Sequence, residues 1–586
     1  MVAMPRPETH LYEIAMEVDP GGATVLDLVL PVWTPGSYLV REFARHVRDF
    51  SAKGKNGRPL PALKVGKNRW RLSLPSKKSE SPGLVSVSYR VYAHELTVRT
   101  SHLDSSHGYG NGANLFFYVE GRKDEPMDVA FRLPRGWKAS MALPARSGVF
   151  RAASYDELVD SPFECGTHRT FDFRVKGVPH TLAIWGTGNE DAPRLVKDLR
   201  KLVAEAASLF GGLPYERYLF LAHLAPGARG GLEHRASQSV AIDPWAFKPE
   251  KAYRDTLLLF SHELFHAWNV KRIRPEALGP FDYTKEVHTK DLWAMEGITS
   301  YYEVLLAVRA GLLTPAQGFE EWMTSWTGHL ETPGRAVQSA EMASFDTWIR
   351  FYRPDENSVN VAESYYRRGQ LLGLALDLTI RGATAGRRGL DDVMRLMWRR
   401  WGSKGRGYPE GAVEDAAARV LASRAKARRF FDRYVRGTGT PDLGRLLPAA
   451  GFELRLVPEA DEGVTEESPV KTRGDFGWKT KTENGRLLVA EVREGGAAMR
   501  AGMSAADEIV AIDGVRASED FLRRKAIEAG PGARIRATVF RRERIRELGL
   551  VLGSRKAGIW KIRPLPEAPA VAKRLARRWL RVPVSG

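Results

Sequence analysis

The stretch Leu257–Pro275, LLLFSHELFHAWNVKRIRP, constrains this chain more than any other. It sets His262, Glu263 and His266 among Leu257, Leu258, Leu259, Phe260, Leu264, Phe265 and Trp268. On a helix, positions four apart share a face, so the two imidazoles project side by side from a segment that must otherwise be buried. Two neutral imidazoles at that spacing can share one metal ion, and Glu263 lies beside it, where a carboxylate can take a proton from bound water. A buried helix whose histidines are satisfied by hydrogen bonds is the plainer alternative, so the rest of the chain has to decide between them.

A catalytic zinc site needs three protein ligands and one open position. Cys165 is the only cysteine, which excludes a thiolate-built site and an intramolecular disulfide framework. The third ligand must then be a histidine or a carboxylate, and Asp282, Glu286, His288, Asp291 and Glu296 follow within reach. Glu296 is the strongest candidate. It sits in the apolar run DLWAMEGITSYYEVLLAV, where a carboxylate among Trp293, Met295, Ile298 and Tyr301 has to be paired or metal-bound.

At 586 residues the chain is too long for one core. Residues 1 to about 180 read as β: LYEIAMEV, TVLDLVLPVW, LVSVSYRVYAHE, NLFFYVEG, MDVAFRLP and FDFRVKGV are short, partly alternating and broken by turns such as DPGG, which suggests an antiparallel sandwich. From about 183 the period changes. APRLVKDLRKLVAEAASLFGG is a helix closed by Gly-Gly, YLFLAHL is a buried strand, and the text is then mainly helical to about 450, including a capping box at Thr314–Gln317. The charged, proline-containing stretch at 456–474 reads as a linker, and 561–586 as a basic tail.

The net charge of +19 invites a nucleic-acid reading, but the arginines are spread through many segments and no recognition helix, RRM or zinc-finger pattern accompanies them. No nucleic-acid partner is expected. No segment approaches a membrane span and the N-terminus has no apolar run of signal-peptide length, so a cytoplasmic location is expected, or a periplasmic one if a leader has been removed.

SHELFHAWNVKRIRP followed by LWAMEGITSYYE resembles the glycyl aminopeptidase family, gluzincin metallopeptidases that join a thermolysin-like catalytic domain to a PDZ domain, and LPVWTPGSYLVREFARHVRDF resembles that family's N-terminal β domain. The resemblance covers nearly the whole chain, and the long spacing from His266 to Glu296 is the one this family shows. It implies a multidomain fold: an N-terminal β-sandwich over 1–180, a thermolysin-like α+β domain over 181–455, and a PDZ domain over 475–560. It also implies His262, His266 and Glu296 as ligands of one zinc ion, Glu263 as general base, peptides as substrates, and a preference for N-terminal Gly or Ala.

Two further segments take their meaning from the same resemblance. RGGLEHRAS is similar to the Gly-x-Met-Glu-Asn edge strand of related aminopeptidases, which implies that Gly231 lies along the substrate and that Glu233 pairs with its α-ammonium; His234 stands where those proteins have Asn. ESYYRRGQLLGLALDL is similar to the Tyr-x-Lys-Gly helix, which implies Tyr366 as an oxyanion donor, with Tyr365 a near alternative and Arg368 in place of Lys. Near the C-terminus, Ala497–Gly514 carries the pattern of a PDZ domain, with Asp475–Trp478 at the position of its carboxylate-binding loop; a peptide C-terminus is the implied partner, and a purely docking module the alternative. Two readings of the whole remain beside aminopeptidase: an endopeptidase, and a peptide-binding or chaperone-like protein without catalysis.

Overall fold

A computed structural model describes residues 1–55, 57–75, 83–459 and 464–581. The chain divides into two compact units. The first is Met1–Thr289 with Tyr302–Leu313 and Val393–Val413; the second is Lys290–Tyr301 with Thr314–Asp392 and Glu414–Gly586. No described helix is long and apolar enough to cross a membrane.

The first unit opens with an eight-stranded sheet whose centre is the antiparallel pair Leu11–Val18 and Val85–Tyr92. The alternation in the sequence becomes two faces: Val85, Val87, Tyr89 and Val91 are buried while Ser86 and Ser88 are exposed, as a period of two requires. The sheet is not wholly antiparallel as expected, because Val2–Ala3 lies parallel to Met127–Arg132. Nor is NLFFYVEG a full strand. Asn111 caps a short helix, Gly112–Leu115, by accepting from Ala113 N–H, and only Tyr118–Val119 pairs as a strand.

Besides this sheet and two four-stranded ones, a five-stranded sheet starts earlier than the sequence suggests. Arg169–Val175, expected to close the N-terminal domain, instead pairs with Val178–Trp185 across Lys176 and Gly177, whose φ values of 47° and 82° make the primed turn that matches strand twist. That hairpin is continuous with Tyr218–Leu224, Ser237–Ile242 and the edge strand Gly230–Glu233. Residue 180 is therefore no boundary, since it lies inside a strand. Val178–Trp185, Tyr218–Leu224 and Ser237–Ile242 run parallel, and Tyr218–Leu224 is buried at every residue, which is why it reads as an unbroken apolar run. The connecting helix Ala192–Phe210 begins at an Asp191 cap and stops at Gly211, φ 83°.

The second unit is helical, then β-rich. Helix Pro315–Glu331 has the expected capping box between Thr314 and Gln317. Helix Tyr365–Ala383 crosses the π-helical turn Trp293–Gly297 at two glycines: a Cβ on Gly297 would stand 2.2 Å from Gly369 Cα, and one on Gly369 would stand 2.3 Å from Trp293 O. The stretch expected as a linker is partly strand. Phe452–Pro458 pairs with Gly558–Pro564 and Thr472–Asp475 with Gly553–Lys556, while residues 460–463 lie outside the described residues. Between them stands a small sheet, with Trp478–Glu483 at one edge, and two helices, Ala497–Arg500 and Glu519–Ala529.

The basic tail, which the sequence leaves free to pack back or to dangle, packs back over its described part; residues 582–586 lie outside the described residues. Ala570–Leu580 is an amphipathic helix that buries Ala572, Leu575, Ala576, Trp579 and Leu580 and leaves its arginines outward. Trp579 stacks on Trp322 at 5.5 Å and donates to Tyr301 Oη at 2.8 Å. The charge count hid the apolar stripe. Trp579→Ala should therefore cost about 3–5 kcal/mol, read as a lowered urea midpoint, whereas a dangling tail would leave unfolding unchanged.

Candidate metal centre

The motif forms the last turn of helix Glu250–Phe265, with His266 as its C-cap. His262 Nδ1 donates to Glu303 at 2.5 Å and His266 Nδ1 donates to the carbonyl of Asn269 at 2.6 Å. Both partners are acceptors, so each ring is held in the tautomer that carries its lone pair on Nε2, the form a metal-binding histidine needs. The rings stand 4.6 Å apart and nearly perpendicular, at 80°. This donor set, two oriented imidazoles with a neighbouring carboxylate, fits a zinc ion.

Glu263 is buried against the edge strand. A Cβ on Gly231 would come within 1.9 Å of Glu263 Oε1, so only glycine lets the backbone lie over this carboxylate. One donor atom each from Glu233, Glu263 and His266 lies within 4.8 Å of the others, which brings the edge strand's carboxylate beside the motif.

Glu233 itself is 4% exposed, and its Oε1 is buried with no hydrogen-bond partner. The nearest cation, Lys271 Nζ, is 4.0 Å away and closer to Asp160, at 2.8 Å. Asp160 also accepts from His234 Nδ1 at 3.1 Å and from Arg235 N–H at 2.9 Å. Burial alone would raise the Asp160 carboxyl, but Lys271 and His234 outweigh it and bring its pKa down to about 2. Gly36, at φ 87°, closes over Glu233: a Cβ there would be 2.6 Å from Oε2. Glu233 lines a cavity of about 310 Å³ with Trp33, Gly36, Tyr38, Asp160 and Lys271.

In the second unit, Glu296 is 2% exposed within the π-helical turn. Of the other candidate third ligands, Glu286 and His288 are exposed, Asp291 is half-buried, and Asp282 accepts from Thr284 N–H at 2.9 Å and its hydroxyl at 2.7 Å. Tyr365 is buried and Tyr366 half-buried at the start of their helix, which Ser364 caps. Arg368 does not present its charge outward. It is 1% exposed and donates to the carbonyls of Arg335, Tyr434, Gly437 and Gly439. Sequence reasoning missed Glu303, Lys271, Asp160 and Gly36. Only Glu303 left a signal, a second carboxylate seven residues beyond Glu296 in the same apolar run.

Two oriented imidazoles with buried carboxylates beside them are a donor set for a zinc metallopeptidase, and comparison with known proteins supports a metallo-aminopeptidase. Residues 1–167 match the Peptidase M61 N-terminal domain and residues 255–372 match the M61 glycyl aminopeptidase. Over these two segments the chain is similar to the M61 glycyl aminopeptidase family. An aminopeptidase N family protein from Idiomarina loihiensis is similar at 29% identity and a TM-score of 0.90, over 99% of each chain. An M1 zinc metallopeptidase from Deinococcus radiodurans gives a TM-score of 0.47 at 17% identity, over 75% of this chain and 94% of that one; a variant bound to a Tyr-Ser-Ala substrate gives the same values. No curated protein matches the sequence.

Two outcomes follow from this geometry. Glu303→Ala removes the group that orients His262, so metal affinity should fall by about 10–100-fold in competition with a chelator. Asp160, with a folded pKa of about 2, has a carboxyl depressed below its unfolded value. Its contribution is fully present above about pH 4 and lost as pH falls toward 2. Urea unfolding of wild type and Asp160→Asn should thus differ by a constant amount from pH 5 to 7 and converge below pH 4.

Proposed function

We propose that the protein removes N-terminal residues, Gly and Ala above others, from peptides, with one zinc ion held by His262, His266 and Glu296. The observation that carries this reading is the buried Glu233 oxygen without a hydrogen-bond partner beside Glu263. An anion left so is costly unless something compensates it, and a peptide's α-ammonium supplies both the missing hydrogen bond and the register for the first peptide bond. Support for Glu296 comes from its burial and from its place two turns before Glu303, the partner of His262, in the helical run Trp293–Arg309. A bound zinc would lower the pKa of its water and polarise the scissile carbonyl.

The chain's own residues do the remainder. Glu263 accepts the proton of the attacking water and returns it to the departing amine. Glu233 fixes the free N-terminus, and the strand at Gly231 lies along the substrate backbone. Tyr366 donates to the developing oxyanion, with Tyr365 beside it. The family's description as glycyl aminopeptidases supports a small first residue.

The module between Thr472 and Lys556 is best read as PDZ-like, with Trp478–Glu483 as the edge strand for an added peptide. Its loop favours docking over capture of a free carboxylate. Gly477 N–H already donates to Asp475 at 3.0 Å, and Asn360 bridges Val492 O and Glu494 N–H at 2.9 and 2.8 Å.

Gly- and Ala-initiated peptides should be shortened one residue at a time and their N-acetylated forms left intact; internal cleavage of the acetylated forms would favour an endopeptidase. Glu263→Gln should retain metal and lose turnover, while Glu233→Ala should retain metal and lose activity on free N-termini by a few kcal/mol. Tyr366→Phe should lower kcat by about 10²–10³-fold with little change in KM.

A further inference from the structure

A second cluster of metal-ligating side chains lies in the first unit, on different strands from the motif helix. His102–Leu103 pairs antiparallel with His107–Gly110, and Asp104 stands in the turn between them. Asp104 Oδ1 accepts from Ser106 N–H at 2.7 Å, Ser106 Oγ at 2.6 Å and His107 N–H at 3.1 Å, which fixes the carboxylate. Its Oδ2 then lies 3.2 Å from His102 Nε2. That separation is close to the edge of a tetrahedron with metal–ligand bonds of about 2.0–2.1 Å, roughly 3.3 Å.

His107 completes the group. Its Nδ1 donates to Glu164 Oε1 at 2.8 Å, and Glu164 Oε2 in turn accepts from His223 Nε2 at 2.9 Å. This is the carboxylate–histidine arrangement that orients a metal-binding ring. The ring is also clamped by Trp185, stacked at 3.6 Å and 14°. Yet His107 Nε2 is fully buried and has no hydrogen-bond partner. Leaving that nitrogen unpaired costs about 1–3 kcal/mol, a cost that a bound ion would offset. One donor atom from each of His102, Asp104 and His107 lies within 4.8 Å of the others, and Asp104, its side chain 32% exposed, opens the group to solvent.

We propose that His102, Asp104 and His107 bind a divalent transition-metal ion of the zinc class, separate from the one at the motif helix, with Glu164 and His223 supporting His107 from behind. The ion would cross-link the two strands of the hairpin His102–Gly110 through its turn. Its role is structural, since no donor of the peptidase motif takes part.

The test is metal stoichiometry on the full chain, stripped by a chelator and titrated with zinc sulfate. Wild type should retain about two zinc ions per chain, and a His262→Asn/His266→Asn double variant about one, on the ligand counts argued for each site. Asp104→Asn should remove that remaining ion while peptide hydrolysis persists in the otherwise wild-type chain. The asparagine keeps an acceptor for the turn, so the fold should hold, and His102→Gln gives an independent check. Zinc binding by the double variant should also perturb the fluorescence of Trp185, stacked on His107. A double variant that holds no ion, or one whose ion survives Asp104→Asn, would overturn the proposal. Failure of the peptidase reading alone would leave the double variant's single ion in place.

Discussion

The hydrogen bond between His262 Nδ1 and Glu303 ties the motif helix to the helix that follows it in the chain, and the rest of the site is arranged around the cost of having it there. A helix end that carries two imidazoles and a carboxylate cannot be buried among leucines unless each polar atom is directed. Glu303 and the Asn269 carbonyl direct the two rings. The apolar side chains around them do the packing: Phe265 stacks on Tyr302 at 4.6 Å and Trp268 on Phe210 at 5.0 Å. Packing and orientation are therefore supplied by the same segment, which is why the motif is so compact in sequence.

Close backbone approach is the second constraint. Gly231 lets an edge strand lie on Glu263, Gly36 lets a turn lie on Glu233, and Gly297 and Gly369 let the π-helical turn and the helix of Tyr366 touch. In each case a single Cβ would occupy space now held by a carboxylate or by backbone. Overpacking of that kind is relieved only by moving an element, so these glycines set distances rather than flexibility.

The N-terminal part of the chain also shapes the surroundings of Glu233. Asp160 holds Lys271 at 2.8 Å, and Lys271 follows the motif helix by a few residues. With that ammonium committed to Asp160, Glu233 keeps a carboxylate oxygen without a hydrogen bond, and a neighbouring cation 4.0 Å away limits the penalty of burying it. An anion poised in this way suits a ligand that brings its own ammonium.

Local pattern was enough to reveal much of this molecule. The four-residue spacing of His262 and His266, the apolar company of Glu296, the buried strand Tyr218–Leu224 and the capping box at Thr314 are all set by residues close together in the chain, and the structure keeps their elements. What the sequence misassigned depends on partners far away. Arg169–Val175 reads as N-terminal β text until its primed turn commits it to the five-stranded sheet. Ala570–Leu580 reads as a charged tail until Tyr301 and Trp322 receive Trp579. The edge-strand reading of Glu233 gives no sign that Gly36, almost two hundred positions earlier, closes over it. Sequence by itself determined which side chains are chemically capable, because composition and helical period are local. Only the tertiary structure decided which of them are oriented, which are neutralised and which are left unpaired, because hydrogen bonds and ion pairs depend on distance in space and not along the chain.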